Sequence, residues 1–136
     1  MVQYSGNDPR DCKDIQATFA GKGFVVKYHA SGLLKTASVD DTPIGYSAAE
    51  SSRGEDGELE AAGTATLAVL PLDGLVYLVA AGTISAPKFG LPIYLAQTAG
   101  TDGTVDDDSS NSATLVGYYC GDETAIAAGD LIPVWC

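Results

Sequence analysis

The stretch TLVGYYC, residues 114–120, repeats the outline of TPIGYSA, residues 42–48: an aliphatic residue, Gly-Tyr, then small or polar residues. Each follows a segment that reads as an exposed turn. A glycine within a strand marks a bulge, a barrel corner or a close approach by another backbone. The tyrosine after it points to the opposite face. Gly45, Tyr46, Gly117 and Tyr118 are therefore read as matching corners of one β-structure, with a binding site used twice as the alternative.

The texture around these corners is β. GFVVKYHA (23–30) is rich in β-branched and aromatic residues, and GLLKTASV (32–39) follows it across Ser31-Gly32 as a hairpin partner. DDTP (40–43) is a turn, IGYSAAES (44–51) a further strand, and SSRGEDGE (51–58) a polar loop. LEAAGTATLAVL (59–70) reads as one bent strand or two, with Gly63 at the bend and helix as the rival. LVYLVAAG (75–82) is continuously apolar, which predicts a central buried strand. TISAPKFG (83–90) turns the chain into the strand LPIYLAQTAG (91–100), and TDGTVDDDSSNS (101–112) is the most hydrophilic loop. ATLVGYYCG (113–121) and LIPVWC (131–136) close the fold, joined by DETAIAAGD (122–130).

About eight short strands at 8–12-residue spacing predict a mainly β fold, a small β-barrel or β-sandwich. One domain is expected over residues 21–136, preceded by an extended N-terminal arm at residues 1–20. Few apolar residues anchor that arm, although Asp8 and Pro9 suit the cap and first position of a short helical turn.

Composition narrows the function classes. Eighteen acidic against seven basic side chains give a net charge of −11. Phosphate neutralisation needs clustered Lys and Arg, so the expectation is no nucleic acid and no anionic membrane as partner. The longest apolar stretch is interrupted by Pro71, Asp73 and Gly74 and is not a spanning helix. The start of the chain has no basic region followed by an apolar run, so no export signal is expected. Cys12, Cys120 and Cys136 have no metal-site spacing, and free thiols are expected, with a Cys120–Cys136 link as the alternative.

Catalytic and metal chemistry finds little to stand on. His29 is the one histidine and Cys120 a possible nucleophile, a pairing that needs the two within hydrogen-bond reach. Asp102, Asp106, Asp107, Asp108 and Asn111 offer oxygen ligands for Ca²⁺ but lack the alternating pattern with a central Gly and final Glu. The expectation is no enzyme, no metal site and no cofactor. Trp135, beside Pro133 and Val134, is read either as a core plug or as an interface anchor.

The order of features carries a resemblance. Ala37, Asp40 or Asp41, Ile44 and Gly45 come first; Gly90, Pro92, Ile93, Tyr94 and Leu95 follow; Val116, Gly117, Gly129, Asp130, Ile132 and Val134 close the chain. This order resembles the small head decoration (capsid cement) proteins of tailed viruses, the group built like the lambda head decoration protein, over residues 24–136. The loops SSRGEDGELE and DGTVDDDSSNS depart from that group's pattern. The resemblance implies a β-tulip-like fold, a non-enzymatic homotrimer, and the major capsid protein as partner. It implies attachment to the outside of the expanded head at three-fold and quasi-three-fold positions, in a virion assembled in the host cytoplasm.

Such a role suits an arm whose Val2, Gln3 and Tyr4 add a strand to a capsid subunit, helped by the basic Arg10 and Lys13. Pro133, Val134 and Trp135 are the expected oligomer interface. The alternative is a virion attachment or fibre module that binds a host receptor or glycan.

Overall fold

Among the described residues, short runs of β-branched and aromatic residues separated by turns form two sheets of five strands and one small two-stranded sheet. The computed structural model describes residues 10–13, 19, 21–30, 32–36, 38–61, 63–96 and 102–136, with the backbone alone for Arg10–Lys13 and Leu34. The first half holds β1 (Arg10–Lys13), β2 (Val25–His29), β3 (Gly32–Lys35), β4 (Gly45–Ser47) and β5 (Thr66–Leu70). The second holds β6 (Leu75–Val79), β7 (Ile84–Ser85), β8 (Pro92–Leu95), β9 (Val105–Asp106), β10 (Leu115–Tyr119), β11 (Ala125–Ile126) and β12 (Leu131–Trp135). The fold is mainly β, with curled antiparallel sheets, and among the described residues every pair of named strands is antiparallel.

The two halves are built alike. The first sheet runs β1-β5-β4-β2-β3 and the second β6-β12-β10-β8-β9. Taken in chain order within each half, with the small β7–β11 pair set aside, these are one topology used twice. The register repeats too. Tyr46 faces Leu70 and Val25, while Tyr118 faces Trp135 and Pro92. Even the entering turns agree. Gly23 N–H donates to Ser47 O (2.9 Å) and Gly90 N–H to Tyr119 O (2.7 Å), with both glycines in the left-handed region at φ 93° and 90°.

Each half has its own core at equivalent positions. Val26, Leu33, Leu67 and Val69 pack with Phe19 in the first. Ile93, Val105, Ile132 and Val134 stand at the matching places in the second, joined by Val76, Leu78, Leu95 and Tyr119. The second sheet nearly closes on itself: Val105 bridges Ala80 just beyond β6, and Ala81 N–H donates to Val105 O (2.8 Å). Ile84 of β7 and Ile126 of β11, both buried, complete that core. In the first sheet β1 and β3 also come into contact.

Several expectations are corrected. The 75–82 run is not a central strand: β6 is the terminal strand of its sheet and alternates, with Val76 and Leu78 buried and Leu75 and Tyr77 exposed. Its continuous apolar character reflects a second, outward apolar face. The hydrophilic loop 101–112 contains β9, because Val105 supplies the buried residue that joins the sheet edges. The Ala-rich stretch resolves as strand β5 and not helix. The boundary at residue 20 falls inside the folded body, since Arg10–Lys13 pairs with β5 and Phe19 is fully buried. Arg10–Lys13 forms a strand and not the helical turn that Asp8 and Pro9 suit.

Candidate functional site

Alternation sorts each strand of the second sheet into an inward and an outward set. On β12, Ile132 and Val134 are buried, while Leu131 and Trp135 are exposed. On β6 the outward residues are Leu75 and Tyr77, and on β10 Tyr118. Pairing places Pro92, Tyr118, Trp135 and Leu75 opposite one another across four neighbouring strands. They form an unbroken row on the outer face. Trp135 is 59% exposed, Leu75 51% and Tyr118 46%, and Phe89, just before β8, reaches 80%.

The outward positions of β6, β8, β10 and β12 hold no carboxylate or ammonium group, on a chain of net charge −11. Contiguous exposed apolar surface of this kind marks an interaction site. Burying it against a partner removes apolar area from water at about 25 cal/mol per Å².

The Gly-Tyr pairs explain how the face is built. A methyl group added to Gly45 would lie 2.5 Å from Leu70 O, and one on Gly117 2.5 Å from Trp135 O. Only glycine lets the neighbouring strand come so close, and the following tyrosine then projects outward. Tyr46 and Tyr118 have different surroundings. Tyr46 packs against the second half's core, and burial, then the nearby Cys136, raises its pKa. Tyr118 stands in the open.

The remaining sequence-derived residues are distributed as follows. Pro133 is half-buried and Trp135 exposed on the outer face, but Val134 is fully buried, so it faces the core and not a partner. The two-residue period of β12 carries that signal. Arg10 and Lys13 lie on edge strand β1. Val2, Gln3 and Tyr4 lie outside the described residues.

His29 sits at the end of β2 and Cys120 just after β10, on different sheets. In the acidic loop the side chains hold turns: Asp108 N–H donates to Asp106 Oδ1 (3.1 Å) and Ser110 N–H to Asp108 Oδ1 (2.9 Å). Among the described residues no three acidic, Cys or His side chains group as a metal site, and no helix is long and apolar enough to cross a membrane. Cys120 and Cys136 are free thiols; burial, with Asp73 and Cys120 nearby, pushes the Cys136 pKa up to about 11.

The first half carries a different feature, an open depression of about 410 Å³ lined by Lys27, Tyr28, His29, Asp41, Thr42 and Ile44. Lys27 Nζ and Asp41 Oδ1 are paired there at 3.1 Å. Sequence reasoning gave no sign of it, because its residues come from β2 and the turn before β4. Comparison with protein-family models, curated proteins and solved structures finds no match.

Proposed function

We propose that this chain is a head decoration (cement) protein of a tailed virus, binding the outside of the expanded head at three-fold and quasi-three-fold positions as a homotrimer. The observation that carries the reading is the uncharged apolar outer face of β6, β8, β10 and β12 on an otherwise acidic chain. That surface suits protein neighbours and not phosphate. The ordered likeness of residues 24–136 to the decoration group adds its own support. Under this reading the major capsid protein is the partner and residues 1–9 supply the strand-adding segment, with Val2, Gln3 and Tyr4 alternating along it. Three linked contacts then give a weak individual clamp high avidity. No covalent chemistry is required.

The test is co-sedimentation with expanded, undecorated heads of the encoding virus, comparing the full chain with one that lacks residues 1–9. Saturation at three copies per three-fold position, lost with the segment, is expected. Failure of the full chain to pellet with heads overturns the reading.

A second reading, a virion module that attaches to a host receptor or glycan, is favoured by the Tyr28 depression. An aromatic ring 72% exposed beside Thr42 and His29 is suited to stacking on a sugar. Saturable binding to host cells by a protein that ignores heads would select it.

A further inference from the structure

Each half carries on its outer side a row of residues set opposite one another across its strands. In the first half the row is Val25, Tyr46 and Leu70; in the second it is Pro92, Tyr118 and Trp135. The first row is in use. Val25 is fully buried in the second half's core and Tyr46 packs against that core. Beside them Gly23 O accepts the Val79 N–H (3.0 Å), and a methyl group on Gly23 would strike Leu131 Cδ2 at 2.6 Å. The twin row is bare. Its entering glycine, Gly90, has the same φ and the same strand bond as Gly23, yet nothing lies within 4 Å of where its Cβ would be.

If the halves were related by a two-fold, both rows would be covered or neither. Covering one alone makes the joint head-to-tail, and a joint of that type leaves a free head and a free tail on every molecule. We propose that the row Pro92–Tyr118–Trp135, extended by Leu75 and Phe89, docks a second copy of this chain on that copy's first half, repeating between chains the joint that holds the halves together. The receiving surface follows from the register. Thr66 and Pro71 are the first-half twins of Leu131 and Cys136, and both are exposed.

The charge distribution selects another copy's face with care. Two chains of net charge −11 repel over most of their surfaces, and this row brings no charge of its own to the contact. A head-to-tail joint either grows into a filament or closes into a ring. Closure at three copies, giving a ring of six halves, rests on the cement reading above; the docking itself does not.

The test is light scattering on the full chain in free solution across a range of concentrations. The wild type is expected to run at three times 13.9 kDa. Its single tryptophan, Trp135, is expected to shift its emission to the blue as assembly proceeds. Trp135→Glu and Thr66→Arg each raise the concentration needed for assembly by at least about 30-fold, while Glu55→Gln, in the polar loop, leaves it unchanged. Mixed together, the two defective variants keep one intact head and one intact tail, so they form a pair and stop there.

A wild type that stays at 13.9 kDa with unshifted emission overturns the proposal, as does assembly limited to two copies or a mixture that forms no pair. The emission reading needs no variant, so a variant that fails to fold leaves the test intact. A trimer that ignores heads would overturn the cement reading and leave the docking surface standing. A monomer that decorates heads would do the reverse.

Discussion

Gly45 and Gly117 occupy one structural position used twice: each lies inward on the middle strand of its sheet, with a β-carbon site 2.5 Å from a backbone oxygen of the neighbouring strand. In both, the next nearest atom is the Cγ1 of a buried valine, Val69 or Val134. The crowding comes from backbone, which has no rotamer to change.

Gly45→Ala and Gly117→Ala are therefore expected to destabilise the protein by about 1–3 kcal/mol each, the usual cost of overpacking. Gly82→Ala is the control, because open space surrounds that position and its φ is ordinary. Urea denaturation checks this. Equal midpoints for all three variants would contradict the account of the corners.

Removing residues 1–20 takes away edge strand β1 and the buried Phe19 together. Phe19→Ala alone is expected to cost about 3–5 kcal/mol through lost burial and a residual cavity. A chain starting at residue 21 with wild-type melting would show that β1 and Phe19 do not belong to the folded body.

Two buried serines predict opposite effects. Ser47 Oγ accepts the Phe24 N–H (3.0 Å) and donates to Gly21 O (3.0 Å), tying the entering turn to β4. Ser47→Ala leaves both backbone groups unpaired and is expected to cost about 1–3 kcal/mol. Ser51 Oγ is buried without a hydrogen-bond partner among the described residues. Ser51→Ala is expected to be neutral or stabilising, by up to about 1 kcal/mol. Thermal melts of the two variants that move in the same direction would contradict this.

The Cys136 thiol predicts a stability loss in alkali. Its pKa stands near 11 in the folded chain against 9.0 for an ordinary thiol, chiefly through burial. The unfolded chain therefore loses this proton first, and stability falls as pH rises from 9 towards 11. Below pH 9 the effect is absent. Tyr46, raised above 10.0, adds a loss of the same sign at higher pH. Cys136→Ser should flatten the first part of the decline, measured as urea midpoints between pH 8 and 11, and an unchanged slope would contradict the assignment. Cys136 should also alkylate more slowly than an ordinary exposed thiol at pH 8.

Much of the strand content was legible because it is local. Val25 and Val26 announce β2, and the Gly-Tyr echo marks two glycines that the neighbouring backbone requires. What escaped depends on distant partners. Arg10–Lys13 has no apolar pattern and becomes a strand only by pairing with β5. Val105 sits in an acidic run and becomes core because it pairs with Leu95 on one side and Ala80 comes beside it on the other. The duplication hid because twin positions carry different residues: Val25 against Pro92, Ser47 against Tyr119. At the candidate face, the two-residue period of β12 separates Val134 from Trp135, a signal that grouping Pro133, Val134 and Trp135 as one interface passed over. The exposure of Leu75 and Tyr77 stayed hidden, since an apolar outward face and an apolar inward face read the same in sequence.

The most direct measurement of the central claim is electron cryo-microscopy of expanded heads saturated with the full chain. The account predicts a ring of three copies at each three-fold position, six similar lobes in all, with Trp135 of each copy covered by the first half of its neighbour. Separate single copies on the head, or rings in which Trp135 faces solvent, would contradict it.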